Sequence, residues 1–306
     1  MTRRPTLAAL AVTAVLLSAC GTSETASGND EGAGDSETVV VGSANFPESE
    51  IIGNLYAQAL EAAGFTVETR FGIGSREAYI PALQDGSIDL IPEYTGNLLT
   101  YLTEDTSVVS AADIEAALPD ALAERDLTML EPAEAQDSDA IVVTAKTAKD
   151  WGLTTIGDLA GHNDQLVIAG PPEMSKRPAG LPGLEKNYGV KPTEFMPIND
   201  GGGPATVKAL VGGKATAANI FSTSPALHAN DLVTLEDPEN NFPAQNVVPV
   251  LTAEPAAEQE LVDALNEVSA ELTTEDLIAL NTAVSGDQKQ EPEQAAKEWL
   301  QEKGLR

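Results

Sequence analysis

The sequence predicts an α/β fold built as two similar lobes that face one cleft. Three observations carry this. Apolar, strand-like runs alternate with amphipathic segments between Val39 and Ile220, the pattern of a largely parallel sheet. A segment recurs at a spacing of 127 residues: Ala82-Leu83 answers to Ala209-Leu210, Gly86 to Gly213, and Tyr94-Thr95 to Phe221-Ser222. The first copy ends in Pro92-Glu93-Tyr94-Thr95-Gly96-Asn97, a loop after a strand, where open α/β sheets bind ligands.

Taken in order, Val39-Val40-Val41 reads as a buried strand, followed by the loop Gly42 to Pro47. Glu48 to Ala63 places Ile51, Ile52, Leu55, Ala59 and Leu60 at helical spacing, with Gly64 as a stop. Phe65 to Phe71 alternates as a strand, Ser75 to Gln84 is helical, and Ile88 to Ile91 is a strand. Ser110 to Arg125 is a further amphipathic helix and Ala140 to Thr144 a further strand. The pattern then restarts with strands at Leu166–Ala169, Glu194–Ile198 and Thr216–Ile220, and helices at Leu181–Tyr188 and Pro204–Val211. A helical stretch from Ala256 to Lys303 is interrupted near Gly286 and Pro292. The expected organisation is lobe I over residues 38–142 and 248–306, lobe II over 143–247, and two crossings near Val143 and Val248 that act as a hinge.

Composition narrows the function. With 48 acidic against 17 basic residues the formal charge is −31. That excludes a nucleic-acid partner, whose phosphates require cationic neutralisation, and adsorption to an anionic lipid surface. Aromatic residues make up only 4% of the chain, so each one carries weight.

Residues 1–19 read as a signal peptide. Arg3-Arg4 precedes the apolar run Leu7 to Leu17, which is too short to span a bilayer stably. Leu17-Ser18-Ala19-Cys20 resembles the bacterial lipobox, and Cys20 is the only cysteine. This implies a lipidated Cys20, a flexible polar tether over residues 20–37, and a location on the extracytoplasmic face of a bacterial cell membrane. One cysteine allows no intrachain disulfide.

No catalytic constellation stands out. His162 and His228 fall in no metal-ligand spacing, and neither a G-x-S-x-G elbow nor a G-x-x-x-x-G-K-[ST] loop occurs. The expectation is a non-enzyme with no cofactor and no metal. Gly201-Gly202-Gly203 before the helix at Pro204 reads equally as a plain turn or as an anion cradle at a helix N-terminus.

Several motifs stand in family order: Gly42-Ser43-Ala44-Asn45-Phe46-Pro47-Glu48, Ile88 to Gly96, Leu181 to Gly189, Phe221-Ser222-Thr223-Ser224-Pro225-Ala226 and Glu236-Asp237-Pro238. From Val39 to Trp299 the chain resembles the substrate-binding components of osmoprotectant ABC importers, the glycine betaine/choline/carnitine-binding family. The resemblance implies a two-lobed periplasmic-binding-type fold (type II) with the ligand between the lobes. It also implies capture of a small osmolyte, with separate permease and ATPase subunits as partners. Betaine-binding members enclose the quaternary ammonium in tyrosines through cation–π attraction and clamp the carboxylate with basic and hydroxyl groups. On this chain the first aromatic is Tyr94, the second falls at Asp139, the third is Phe221 beside Ser222, and the fourth is Gln245. Arg177 matches a basic residue, Asn97 replaces a Thr, and Ala44 stands where many members have Lys. The site expected is therefore Tyr94, Asn97, Asp139, Arg177, Phe221, Ser222, Gln245 and Ala44, a pocket less aromatic and more polar than a betaine box. The rival functions are a lipid-anchored sensor or adhesion protein reusing the fold, and an extracytoplasmic enzyme.

Overall fold

The computed structural model describes residues 38–105 and 107–306; the expected signal peptide, the expected lipidation at Cys20 and the expected tether lie outside the described residues. Two five-stranded sheets organise the chain. The first is built from β1 (Val39–Gly42), β2 (Val67–Arg70), β3 (Leu90–Tyr94), β4 (Leu127–Met129) and β10 (Val247–Thr252), in the order β2-β1-β3-β10-β4. The second holds β5 (Ile141–Thr144), β6 (Val167–Gly170), β7 (Glu194–Pro197), β8 (Ala217–Asn219) and β9 (Leu232–Thr234), in the order β7-β6-β8-β5-β9. In each sheet the strand after a lobe crossing, β10 or β5, runs antiparallel between parallel neighbours. The internal repeat thus extends to the whole topology.

Helices flank both sheets. α1 (Pro47–Ala62) begins at a proline and buries Ile51, Ile52, Leu55, Tyr56 and Leu60 completely. It packs under the C-terminal helices α9 (Gln259–Glu271), α10 (Thr274–Ser285) and α11 (Pro292–Lys303). The other face of the first sheet is covered by α2 (Arg76–Gln84), α3 (Thr95–Thr103) and α4 (Ala111–Ala123), through Ile80, Leu83, Leu98, Ile114 and Leu118. The second lobe carries α5 (Ala145–Trp151), α6 (Leu181–Tyr188), α7 (Pro204–Val211) and the short α8 (Ala226–Ala229).

In both copies of the repeat a helix runs through a left-handed glycine into a strand. Gly86 follows α2 with φ +74° and Gly213 follows α7 with φ +70°, a conformation that glycine adopts without steric cost. The lobe limits shift by a few residues. β5 starts at Ile141 and belongs wholly to the second sheet, while Val247 pairs with Tyr94 in the first. Residues 141 and 142 therefore lie in lobe II and residue 247 in lobe I. The chain changes lobe before Ile141 and again before Val247, where an isolated bridge joins Gln136 to Asn246.

One local expectation fails. Pro92 to Tyr94 is strand, and Thr95 opens α3 without an intervening loop. Pro92 stands opposite Pro249 on the antiparallel partner, a position where neither residue owes the other an N–H. Gly96 is required by close approach, because a Cβ there would lie 2.3 Å from the Ala244 carbonyl oxygen. Its packing function is to seat α3 against the second crossing.

Candidate functional site

A cleft opens where the C-terminal ends of β1, β3, β6, β7 and β8 converge. Its inner part is a cavity of about 60 Å³ lined by Phe46, Arg76, Tyr94, Asp139 and Phe221 among others. It runs into a wider space of about 490 Å³ that shares Asn97, Asp139, Glu173 and Arg177. Several bonds join the lobes across it. Asn45 donates from Nδ2 to Asn199 Oδ1 at 2.8 Å, and Arg177 Nη2 lies 3.1 Å from Glu77 Oε2.

The aromatic wall has three rings. Phe46, in the loop after β1, stacks at a tilt on Tyr94 (centroids 6.0 Å apart) and on Phe221 of the other lobe (5.3 Å). Tyr94 ends β3 and donates its hydroxyl to Glu48 Oε1 at 2.7 Å. Burial, the Glu48 charge and the Asp137 charge push that phenol well above its ordinary value, so it stays neutral and acts as a fixed donor.

Glu48 lies at the start of α1 and is buried. Besides Tyr94 it accepts from Thr223 of the second lobe at 2.5 Å and from Asn281 of α10. Asp137, in the first crossing, accepts from the Thr223 amide at 3.0 Å and the Ser222 hydroxyl at 3.1 Å. Burial and the neighbouring Glu48 hold the Asp137 carboxyl well above the usual carboxylate range. The two acids form a floor beneath the aromatic wall that ties α1, the crossing and the second lobe together.

A second buried cluster shapes the opposite wall. Glu93 of β3 accepts from Arg76 Nε (2.9 Å), Arg76 Nη2 (2.7 Å), Tyr79 Oη (2.7 Å) and the Tyr94 amide (2.8 Å). Burial, the largest single influence, would lower the Arg76 pKa, but the charges of Glu93, Tyr79 and Asp139 and the hydrogen bonds to Glu93 together outweigh it, and the guanidinium is held more firmly protonated than usual. Asp139 has a different set of partners. Its Oδ2 accepts from Asn97 Nδ2 at 2.6 Å and its Oδ1 from Asn219 Nδ2 at 3.0 Å.

Of the eight expected site residues, six line the cleft: Ala44, Tyr94, Asn97, Asp139, Arg177 and Phe221. Tyr94 does so from a strand end and not from a loop. Two stand elsewhere. Ser222 is exposed and pairs with Ser138 through both its amide and its hydroxyl, lacing the crossing to the segment after β8. Gln245 is fully buried, its Oε1 accepting from the Asn97 amide at 3.0 Å; the open N-terminus of α3 takes it out of the cleft lining. The glycine run at 201–203 offers no anion cradle, because Asp200 already accepts from the amides of Ala205 (2.7 Å) and Thr206 (3.2 Å). His162 stacks on Trp151 with centroids 4.2 Å apart, a packing role.

Sequence reasoning missed Phe46, Arg76, Glu48 and Asp137. Two signals pointed to Phe46 and Arg76. Phe46 follows a strand's C-terminal end in a chain poor in aromatics. Arg76 is a cation in the first turn of a helix, against the helix dipole, which calls for a specific acidic partner.

The family described as OpuAC, substrate binding domain of ABC-type glycine betaine transport system, matches residues 37–302. The chain belongs to this family. Among known relatives it is similar to the glycine betaine-binding protein YehZ of Escherichia coli (strain K12), at 26% identity over 277 residues, covering 87% of this chain and 90% of that one. It is also similar to a glycine-betaine-binding protein of Pseudomonas aeruginosa, at 27% identity over 287 residues and 90% of each chain. The crystal structure of a glycine betaine/carnitine/choline ABC transporter superposes with a TM-score of 0.69 at 24% identity, covering 87% of this chain and 99% of that one. Apo YehZ from E. coli superposes with a TM-score of 0.61 at 26% identity, covering 88% and 100%. The fold is thus the two-lobed one of periplasmic substrate-binding proteins, and the chain is a substrate-binding component of the ABC-type glycine betaine transport class. That family is a transport family and not an enzyme family, and its members work on the extracytoplasmic side. Among the described residues no helix is long and apolar enough to cross a membrane, and no cluster of three or more His, Cys, Asp or Glu is placed to hold a metal ion.

Proposed function

We propose that this chain captures a small osmolyte of the glycine betaine/choline type, with altered specificity, in the cleft between its lobes. It delivers that solute to a membrane permease driven by a separate ATPase. A lipid on Cys20 keeps it on the outer face of the cell membrane, within reach of the permease. The observation that carries the reading is the cleft wall of Phe46, Tyr94 and Phe221 with Asp139 on the same cavity. Aromatic faces and a carboxylate both attract a cation, the faces contributing about 0.5–2 kcal/mol each when desolvated. The two relatives named for glycine betaine binding support the same solute class.

Calorimetric titration of the chain from residue 20 against betaine, choline, carnitine, proline betaine and ectoine tests the proposal. At least one should bind, and Tyr94→Ala should weaken it several-fold or more. Unchanged affinity in the variant places the ligand elsewhere. No binding to any solute, with uptake unaffected by loss of the gene, defeats the transport reading. Cys20→Ser should release the protein from the membrane fraction, and full retention would refute the lipid anchor.

A further inference from the structure

The charge balance of the cleft points to a narrower ligand class, and this inference rests on the cleft being the solute site. Both guanidinium groups on its walls are already matched by carboxylates. Arg76 is held bidentately by Glu93 at 2.7 and 2.9 Å, and Arg177 lies 3.1 Å from Glu77 and 3.8 Å from Glu173. Asp139 has no such match. Its two hydrogen bonds come from the neutral amides of Asn97 and Asn219, and the Arg76 charge acts on it only through space. Two carboxylates on the inner cavity, Asp137 and Asp139, therefore have no contacting cation among the described residues; burial and Glu48 hold the Asp137 carboxyl well above the usual carboxylate range, and of the two only Asp139 lines both parts of the cleft. Neither guanidinium on the walls lacks an acid partner.

The aromatic groups do not amount to a cage. Phe46, Tyr94 and Phe221 pack on one another with centroids 5.3 and 6.0 Å apart, so they make a single wall. Asp139 and Asn97 line the same inner cavity as these rings. A quaternary ammonium brings charge there but no N–H to share with a carboxylate. A betaine also brings a carboxylate into an inner cavity whose two guanidinium groups are already paired with acids, while Lys176 stands on the wider space outside it. A protonated amine satisfies both sides, its methylene groups against the rings and its N–H groups on the acid.

We propose that the preferred solute is a small protonated primary or secondary amine without a carboxylate of its own, held by an N–H bond to Asp139 and seated on the Phe46–Tyr94–Phe221 wall. Asp139 is then the residue that sets specificity, rewarding N–H donors over N-methyl groups.

A methylation ladder on one scaffold tests this by calorimetry on the chain from residue 20: ethanolamine, its N-methyl and N,N-dimethyl derivatives, and choline, with glycine betaine and carnitine alongside. Affinity should fall along the ladder, by at least about tenfold from ethanolamine to choline, the value of one charge-assisted hydrogen bond. Asp139→Asn, isosteric and able to keep one amide contact, should erase that preference while thermal unfolding shows an intact fold. Choline or a betaine binding most tightly overturns the amine assignment and leaves the cleft reading standing. A ladder preference that survives Asp139→Asn overturns the role of Asp139. Binding of no ladder member and no betaine overturns the assignment together with the cleft reading.

Discussion

Replacing Arg76 with Met breaks a buried ion pair from one side, and the structure sets the size of the effect. The Glu93 side chain is fully buried and that of Arg76 is 8% exposed. Two of the four hydrogen bonds on the Glu93 carboxylate come from Arg76; the variant retains only the Tyr79 hydroxyl and the Tyr94 amide. A buried charge left without its counter-ion costs about 3–5 kcal/mol. At roughly 2 °C per kcal/mol for a fold of this size, the melting temperature should fall by about 6–10 °C at pH 7. Arg76→Met/Glu93→Leu removes both charges and should recover much of the loss. Calorimetric melting of the parent chain and the two variants at pH 7 gives the answer. A loss below about 1 kcal/mol for Arg76→Met, or a double variant as unstable as the single, would refute the claim that this pair holds the cleft wall.

Two more outcomes follow. Asp137 has its carboxyl raised by burial and by Glu48, so the folded state keeps a proton that the unfolded chain loses near pH 4; its contribution is complete below that value and is lost as pH rises towards the raised one, with a slope of at most about 1.4 kcal/mol per pH unit. Asp137→Asn should flatten that decline in urea midpoints measured across the acid range, and a steeper decline would contradict the assignment. Arg177→Ala removes a partly exposed interlobe pair; it should cost no more than about 1 kcal/mol of stability, and lower scattering-derived compactness without ligand would identify the pair as a closing contact, whereas an unchanged profile would deny it that part.

Much of the fold was legible because periodicity reports burial. α1, α4, α6 and α7 follow from apolar spacing and stop signals, and the spaced glycines Gly86 and Gly213 announced the duplicated topology. The β3–α3 junction was not legible, since Pro92 and Gly96 are loop-formers taken singly. What permits them in a strand and a helix is long-range: Pro249 opposite the first and the Ala244 carbonyl against the second. The three-residue strands β4 and β9 are too short to show alternation. In the site, Tyr94, Asp139 and Phe221 were reached through family order, while Glu48 and Asp137 were hidden among 48 acids that spacing cannot tell apart.

The two positions that the family resemblance sets opposite tyrosines, Asp139 and Gln245, have had different fates, and the difference bears on the ligand. Asp139 precedes β5 in the first crossing, and its carboxylate lines both parts of the cleft. Gln245 precedes β10 in the second crossing, next to the contact that demands Gly96, and that packing brings its side chain onto the first turn of α3. The Gln245 Oε1 accepts from the Asn97 amide in a fully buried position, which ties this side chain to the helix start and takes it out of the cleft lining. Only one of the two exchanged positions therefore speaks to the solute. It does so with a negative charge, against rings that already lean on one another. Restoring a tyrosine at Asp139 alone would remove the acceptor without completing a box, because the fourth side remains committed to α3.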